Sequence, residues 1–221
     1  MASTTKRFGK SYIFATWLTG WLADDQHCAY RPWFRAHFKA DKRPDPTFDL
    51  DAWKADHKAL RTREAARLRA SGYIVAEEMD VKVEGASAIL AGKVDILGIK
   101  YEEVFGPVVD AVIVECKTGQ ERASDFWQEV IYLWAVPLKM TNLAGVIRAE
   151  VVYKDGTRKP LTKAEIAPKV KDVLDAIRLV AANEAPKHAP SFGECSRCDI
   201  TDADCALRVT EGETAVTTEE F

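Results

Sequence analysis

The chain of 221 residues is 47% hydrophobic and 29% charged, a composition typical of a globular protein with one sizeable buried core. No apolar run reaches the length of a membrane span. The N-terminus has neither the apolar segment nor the cleavage site of a secretory signal, so we expect a cytoplasmic protein with no membrane partner. The net charge of −3 argues against a protein that is basic over its whole surface.

Helices are predicted first along the chain. Two short aromatic helices are expected over residues 11–25 and 28–40, followed by a proline-containing loop at 44–46. A longer helix over 47–72 carries apolar residues at helical spacing, and it ends at Gly72, which suits a C-cap.

Three strands follow, and then helix and strand alternate. The strand patterns cover residues 73–85, 87–101 and 107–119, with a turn at Glu84 and Gly85 between the first two. The later elements are a helix over 124–140 with Ser124 as its N-cap, a strand over 143–162 that contains an Asp155–Gly156 turn, and a helix over 162–186. This order of elements predicts a mixed α/β domain.

Two opposite charges end the third predicted strand, in the stretch VIVECKTG. Glu115 and Lys117 are two residues apart on a strand and therefore share a face, while Cys116 points to the opposite face. The pair is either a plain ion pair at a strand end or a metal ligand next to a group that orients water.

The strand before it carries a single acid, Asp95, in an otherwise apolar run. Such an acid is costly to bury unless it is paired or bound to a metal. Together with Glu115 it could form a site for a hard divalent cation such as Mg²⁺. The next helix adds Gln128 and Tyr132, which are four residues apart and therefore lie on one helix face.

The segments GKVDIL, VIVECKTG and QEVIY resemble the consecutive motifs of RecB-type nucleases in the PD-(D/E)xK superfamily, which are G-x-x-D, E-x-K and Q-x-x-x-Y. Val94 stands in place of the motif's proline, and KYEEVFGP lengthens the distance from Asp95 to Glu115. The resemblance implies a restriction-endonuclease-like mixed central sheet flanked by helices, closed by a C-terminal cysteine-cluster region. It also implies a single nuclease domain over residues 1–209.

The same resemblance implies roles for individual residues. The ligands of one or two Mg²⁺ or Mn²⁺ ions would be His57, Asp95, Glu115 and the backbone carbonyl of Cys116. Lys117 would orient the attacking water or stabilise developing charge, and Gln128 and Tyr132 would position DNA or Lys117.

Five cysteines are present, and three of them have the spacing C-x2-C-x6-C at residues 195, 198 and 205. In a chain without a secretory signal this spacing indicates metal binding rather than disulfides. With the distant Cys28, the triplet Cys195, Cys198 and Cys205 resembles the iron–sulfur staple of the AddB and Cas-four nucleases. The resemblance implies a [4Fe–4S] cluster that ties the chain ends together, and zinc is the alternative. Cys116 is predicted to be a core thiol.

Two stretches, residues 31–43 and 57–69, are locally basic. They are either solvated helix faces or contacts to DNA phosphates, and we expect Trp33 and Phe34 to stack on unpaired bases. Residues 210–221 contain four glutamates and no Lys or Arg, which predicts an acidic disordered tail.

These features predict a metal-dependent deoxyribonuclease, an exonuclease that acts on single-stranded DNA or on frayed DNA ends. The chain has no nucleotide-binding P-loop, so any unwinding would come from a partner such as a helicase, and the expected settings include DNA repair and CRISPR adaptation. The alternatives are a non-catalytic nucleic-acid-binding adaptor with a zinc or iron–sulfur knot, and a restriction-type endonuclease.

Overall fold

The computed structural model describes residues 4–43, 49–103 and 106–210. The predicted proline-containing loop and acidic tail lie outside these residues, apart from Thr210. The strands are β1 (Thr5–Lys6), β2 (Ser11–Phe14), β3 (Phe38–Lys39), β4 (Ile74–Glu84), β5 (Ala88–Tyr101), β6 (Val108–Lys117), β7 (Leu143–Tyr153) and β8 (Arg158–Thr162). The helices are α1 (Ala15–Leu22), α2 (Tyr30–His37), α3 (Leu50–Ala70), α4 (Ala123–Ala135), α5 (Lys163–Ile166), α6 (Val170–Ala181) and α7 (Phe192–Ser196).

Six strands form a mixed central sheet with helices on both faces. Strands β4, β5 and β6 pair antiparallel, α4 crosses over, and β7 returns parallel to β6. Strand β8 closes one edge antiparallel to β7, and β2 pairs parallel with the beginning of β5. The predicted restriction-endonuclease-like α/β fold is therefore confirmed, with α3, β4, β5, β6, α4 and β7 in that order.

Strand β5 pairs with β4 along one edge, and along its other edge it changes partner part-way. Residues 88–91 pair with β2, whereas residues 96–101 pair with β6. The last β5–β6 pair is Ile96 with Val114, so Asp95 and Glu115 lie where the two strands separate. Because the strands separate at this fork, backbone groups at the end of β6 have no pairing partner on β5. The fork also leaves space that a continuous sheet would fill.

Each face of the sheet has its own apolar core. Helix α3 covers one face, where Leu60, Leu68, Ile96 and Cys116 are buried together. Helix α4 covers the other face together with α1 and α6, which contact both α4 and the strands β2 and β5. Because β5 and β6 are covered on both sides, their sequences are almost continuously apolar.

A third cluster forms where α2 meets the C-terminal part of the described chain. Trp33 and Phe34 of α2 are buried with Ile200, and Cys198 and Cys205 pack against them. We call α2, the Cys28 that precedes it and residues 192–210 the cysteine region. Across the whole described chain, no helix is both long and apolar enough to cross a membrane.

The C-terminal end of α3 agrees with the sequence prediction, whereas the helix begins at Leu50 and not at residue 47. Asp49 accepts a hydrogen bond from the Ala52 N–H at 2.9 Å, which caps the first turn. At the other end Gly72 has φ +82°, the left-handed conformation that glycine adopts most easily, as the predicted C-cap requires.

Several other boundaries differ from the prediction. Residues 11–14 form strand β2 and not the start of a helix, because Ser11 and Ile13 are buried in alternation next to β5. The Asp155–Gly156 turn is present, but it joins two strands in a hairpin, so the predicted strand over 143–162 is β7 and β8. Ser124 is not the N-cap, because α4 already begins at Ala123.

The predicted helix over 162–186 is also interrupted. A short 3-10 turn over Ala167–Lys169 separates α5 from α6, and α6 ends at Ala181. Pro168 lies inside this turn, where its ring and missing N–H do not allow a regular helix to continue.

Candidate active site

Asp95 is the centre of the first half of the site, at the fork between β5 and β6. Its Oδ2 accepts a hydrogen bond from the Cys116 N–H at 2.8 Å and lies 3.1 Å from His57 Nε2. The Cys116 N–H can donate to Asp95 because the last β5–β6 pair, at Val114, lies two residues earlier. His57 comes from the first half of α3, so helix and sheet together position this carboxylate.

Glu115, Lys117 and Gln128 form the second half. The Lys117 Nζ donates to Glu115 Oε1 at 3.0 Å and to Gln128 Oε1 at 2.7 Å. Gln128 Nε2 donates to the same Glu115 oxygen at 2.5 Å. The predicted shared face of Glu115 and Lys117 is therefore present, and Gln128 holds both side chains from α4.

Tyr132 braces the backbone of β5 near the site. Its hydroxyl donates to the Lys93 carbonyl at 3.0 Å and accepts from the Lys93 N–H at 3.2 Å. A Cβ at Gly92 would lie 2.6 Å from the Tyr132 ring, so only glycine leaves room for the ring there. The Gly of G-x-x-D and the Tyr of Q-x-x-x-Y thus depend on each other sterically.

Burial and neighbouring charges change the protonation of these groups. Burial, together with the charge of Asp95, raises the pKa of Glu115 to about 7 against the opposing effect of Lys117. The hydrogen bond to Asp95 raises the pKa of His57 more than burial lowers it. Burial acts to lower the pKa of Lys117, but Glu115 and Asp125 outweigh it and the pKa is raised.

Among the residues of the sequence motifs, one buried carboxylate oxygen has no hydrogen-bond donor in the described chain. It is Glu115 Oε2, on a side chain that is only 5% exposed. A buried carboxylate oxygen without a donor is costly unless a cation satisfies it. Two carboxylates on neighbouring strands, completed by water and phosphate oxygens, fit the ligands that Mg²⁺ takes.

Helix α4 brings two further acids to the site that the sequence motifs do not include. Asp125 Oδ2 accepts from the Tyr153 hydroxyl at 3.1 Å, and its other oxygen lies 3.8 Å from Lys117 Nζ. Glu129 is 1% exposed, and neither of its carboxylate oxygens has a donor within the described chain. Both acids lie on the helix face of Gln128 and Tyr132, at spacings of three, four and seven residues, and this polar stripe is the signal in the sequence that could have identified them.

The four predicted cluster cysteines line one small cavity in the cysteine region, namely Cys28, Cys195, Cys198 and Cys205. All are free thiols. A backbone N–H points at one of the sulfurs, since Val209 N lies 3.5 Å from Cys195 Sγ. N–H donors to sulfur suit thiolates that bind a metal or a cluster.

Neither site is a closed ligand shell. Within residues 4–43, 49–103 and 106–210, no three His, Cys, Asp or Glu side chains lie close enough to hold a metal ion as they stand. The ligands would therefore have to draw together around an ion. The Cys116 side chain belongs neither to the acid–lysine site nor to the cavity of the cysteine region. Its thiol is 1% exposed on the α3 side, and burial raises its pKa, as predicted for a core thiol.

The predicted base-stacking aromatics are buried, so that prediction is wrong. Trp33 and Phe34 are 8% and 5% exposed, and the Trp33 indole N–H donates to the Ala182 carbonyl at 2.8 Å. They form the core under the cysteine region and are not available to DNA. Trp53, which is 41% exposed, lies closer to the site and stacks on the His57 ring at 5.1 Å between centroids.

The basic stretches are largely neutralised by acids from elsewhere in the chain. Arg31 and Arg35 both bind Asp199. On α3, Arg61 and Arg69 pair with glutamates of β4, and Arg67 pairs with Glu64 and with Glu150 of β7. These ion pairs favour the interpretation of the two stretches as helix faces paired with acids, rather than as an extended positive surface that binds DNA phosphates.

Comparison with known proteins identifies a likeness of structure only. No family model matches the chain, and no curated protein matches it in sequence. The structure of SSO0001 is 15% identical, and the match covers 92% of this chain and 90% of that one with a TM-score of 0.47. A structure from Eubacterium rectale named "Putative exonuclease" is 13% identical, with 93% and 91% of the two chains covered and a TM-score of 0.49.

Proposed function

We propose that the protein is a metal-dependent deoxyribonuclease that hydrolyses phosphodiester bonds in single-stranded DNA or at DNA ends. The observation that carries this proposal is the state of Glu115. One of its oxygens is held by Lys117 and Gln128, and the other is buried without a donor in the described chain, at a fork that also contains Asp95. This arrangement leaves one carboxylate oxygen of Glu115 available to bind a cation, and it places the Lys117 ammonium group beside that carboxylate.

Each residue of the site has a role that follows from its contacts. Asp95 and Glu115 would hold Mg²⁺ or Mn²⁺ with His57 and the Cys116 carbonyl. The bound ion would polarise the scissile phosphate and lower the pKa of the attacking water. His57 and the Cys116 N–H fix the orientation of the Asp95 carboxylate.

Lys117 acts as a hydrogen-bond donor. Its ammonium group already donates to two oxygens, so it can turn a donor toward an attacking water or toward the negative charge that develops on phosphate. Gln128 keeps the ammonium group and the Glu115 carboxylate at a constant separation. Tyr132 acts further away, since it holds the β5 backbone two residues before Asp95.

The cysteine region would hold a [4Fe–4S] cluster, or zinc, through Cys28, Cys195, Cys198 and Cys205. A cluster at this position would link the segment before α2 to α7 and to the chain that follows α7. Its role is structural, because it lies in a cavity of its own and not at the fork.

DNA would contact a polar cleft of about 710 Å³ at the start of α4, which is lined by both acids and arginines. Arg122 and Arg197 line this cleft, and in the part of the chain that the structure describes neither guanidinium forms an ion pair with a carboxylate. They are therefore better placed to contact phosphate than the paired arginines of α2 and α3.

Degradation of end-labelled single-stranded and duplex DNA tests this function. We expect the purified, cluster-containing protein to shorten DNA with Mg²⁺ or Mn²⁺ and to be inactive in EDTA, and Glu115→Gln to be inactive under all conditions. Asp110→Asn is the matched control, because Asp110 is an acid of the same strand that binds Tyr73 and Arg148 away from the fork. DNA binding without cleavage by the wild-type protein would favour the adaptor alternative and contradict the nuclease.

A further inference from the structure

Glu129 is a buried ionisable residue of α4 that has no role in the mechanism proposed above. Its side chain is 1% exposed, and both carboxylate oxygens lack a hydrogen-bond donor among the described residues. Buried carboxylates in proteins are normally paired with a cation or fully hydrogen-bonded. An apolar residue would be expected at this position of α4, whose neighbours Val130 and Ile131 are completely buried.

The surroundings of Glu129 are those of the candidate active site. Glu129 lies four residues after Asp125 and three before Tyr132 on α4, so it shares the helix face whose side chains contact Lys117 and the backbone of β5. Its neighbour Gln128 contacts both Glu115 and Lys117, so this turn of α4 packs directly against the site.

The nearest lysine does not satisfy Glu129. The ammonium group of Lys117 binds Glu115 and Gln128 and has Asp125 as its third neighbour at 3.8 Å. Three buried carboxylate oxygens are therefore left without donors in the described chain, one on Glu115 and two on Glu129. If both carboxyl groups were ionised in a medium of low polarity they would repel each other, and a divalent cation would remove that repulsion.

We propose that Glu129 is a further ligand of the divalent cation, Mg²⁺ or Mn²⁺, and that it binds the ion together with Oε2 of Glu115. This inference rests on the proposed function, since it concerns the same ion. Two carboxylates supplemented by water and substrate phosphate oxygens form a normal Mg²⁺ shell. The ion would then link β6 to α4, so it would stabilise the fold as well as serve the reaction.

Binding of Mn²⁺ by the full-length, cluster-containing protein tests the proposal without relying on activity. Electron paramagnetic resonance of free Mn²⁺ gives the affinity, and the melting temperature with and without Mn²⁺ gives the stabilisation. We expect Glu129→Gln to weaken Mn²⁺ binding by about tenfold or more and to reduce the rise in melting temperature at a given Mn²⁺ concentration. In EDTA the same variant should melt no lower than the wild type, because the Glu129 carboxyl has no hydrogen-bond partner among the described residues to lose.

Asp110→Asn is the matched control, because it removes an acid of β6 that binds Tyr73 and Arg148 away from the fork. Its Mn²⁺ affinity should stay within about threefold of the wild type, well short of the loss expected for a ligand. Glu129→Leu, which suits an apolar core, replaces Glu129→Gln if that variant does not fold.

Unchanged Mn²⁺ affinity in a folded Glu129 variant would overturn the inference and make Glu129 a buried neutral acid. If the wild type cleaves DNA in that case, the proposed function stands and only the role of Glu129 fails. A wild type that neither binds Mn²⁺ nor cleaves DNA overturns both.

Discussion

Lys117 shows how the contacts of one residue organise the candidate active site. Its ammonium group is surrounded by oxygens of Glu115, Gln128 and Asp125, at 3.0, 2.7 and 3.8 Å from Nζ. Because it lies at the end of β6, two residues beyond Glu115, the strand alone places both groups on one face. The helix supplies the contact that keeps them there.

Replacement of Lys117 tests its role as a donor to the reacting groups. Lys117→Met should reduce the rate of DNA cleavage by about 10²–10³-fold, the usual effect of losing one donor to a developing charge. Mn²⁺ affinity should not fall, because the substitution removes a positive charge from beside the ion. Single-turnover cleavage of end-labelled DNA measures the rate.

Lys154→Met is the control, because Lys154 lies just after β7 and pairs with Asp56 at 2.5 Å. Its cleavage rate should match the wild type. A Lys117 variant that cleaves at the wild-type rate would show that the ammonium group has no part in the chemistry.

At the scale of elements, helix α3 is held to the sheet by a cluster of charges around Glu64. This glutamate is 1% exposed and accepts from Arg67 at 2.8 Å, from Arg158 of β8 at 2.7 Å and from Arg63 at 3.2 Å. Burial acts to raise the pKa of Glu64, but the three arginines outweigh it, and the pKa is lowered from 4.5. The cluster matters for the site because α3 also carries His57.

The lowered pKa predicts how stability depends on pH. The native state binds fewer protons at Glu64 than the unfolded state, so its contribution is complete above pH 4.5 and is lost as the pH falls below that value. We expect Glu64→Gln to lower the free energy of unfolding at pH 7 by about 1–3 kcal/mol, and the difference from the wild type to shrink below pH 4.5. Urea unfolding at several pH values measures both.

Glu184→Gln, at an exposed position after α6, should change neither quantity. A Glu64→Gln difference that stays constant down to the lowest pH would mean that the carboxylate charge does not contribute.

At the scale of the whole molecule, the cysteine region joins parts of the chain that are far apart in sequence. Asp199 binds Arg31 and Arg35 of α2, and the Tyr30 hydroxyl donates to the Asp204 carbonyl at 3.1 Å. These contacts bring Cys28 to the same cavity as the three later cysteines. A cluster or metal ion there would close a loop of most of the chain, which makes its loss costly to stability.

Replacement of any one of Cys28, Cys195, Cys198 or Cys205 by Ser should therefore remove the bound group. We expect iron and sulfide content to fall, and the melting temperature to drop by about 5 °C or more, which corresponds to roughly 2 kcal/mol for a chain of this size. Metal analysis and the visible absorbance of the anaerobically purified protein measure the first effect.

Cys116→Ala is the matched control, since it removes a thiol outside the cavity and should retain the iron. Zinc in place of iron, with a colourless protein, would assign the site to the zinc alternative. Full iron content in Cys28→Ser would exclude Cys28 from the ligands.

The sequence by itself determined the features that depend on backbone periodicity and on local motifs. The shared face of Glu115 and Lys117 follows from the two-residue period of a strand, and the alignment of Gln128 with Tyr132 follows from the turn of a helix. The order of strands and helices, and the C-cap at Gly72, are local in the same sense. These properties need no knowledge of what the segments pack against.

Only the tertiary structure decided burial and the partners of the charges. Glu129 is an ordinary glutamate in sequence, and it becomes an unsatisfied core carboxylate only because α4 is enclosed between the sheet and α1. Trp33 was expected at the surface but is covered by chain that comes some 150 residues later, and the arginines of α3 meet acids of β4 and β7. Such outcomes depend on which distant segments meet, because desolvation and charge pairing arise from neighbours in space and not from neighbours along the chain.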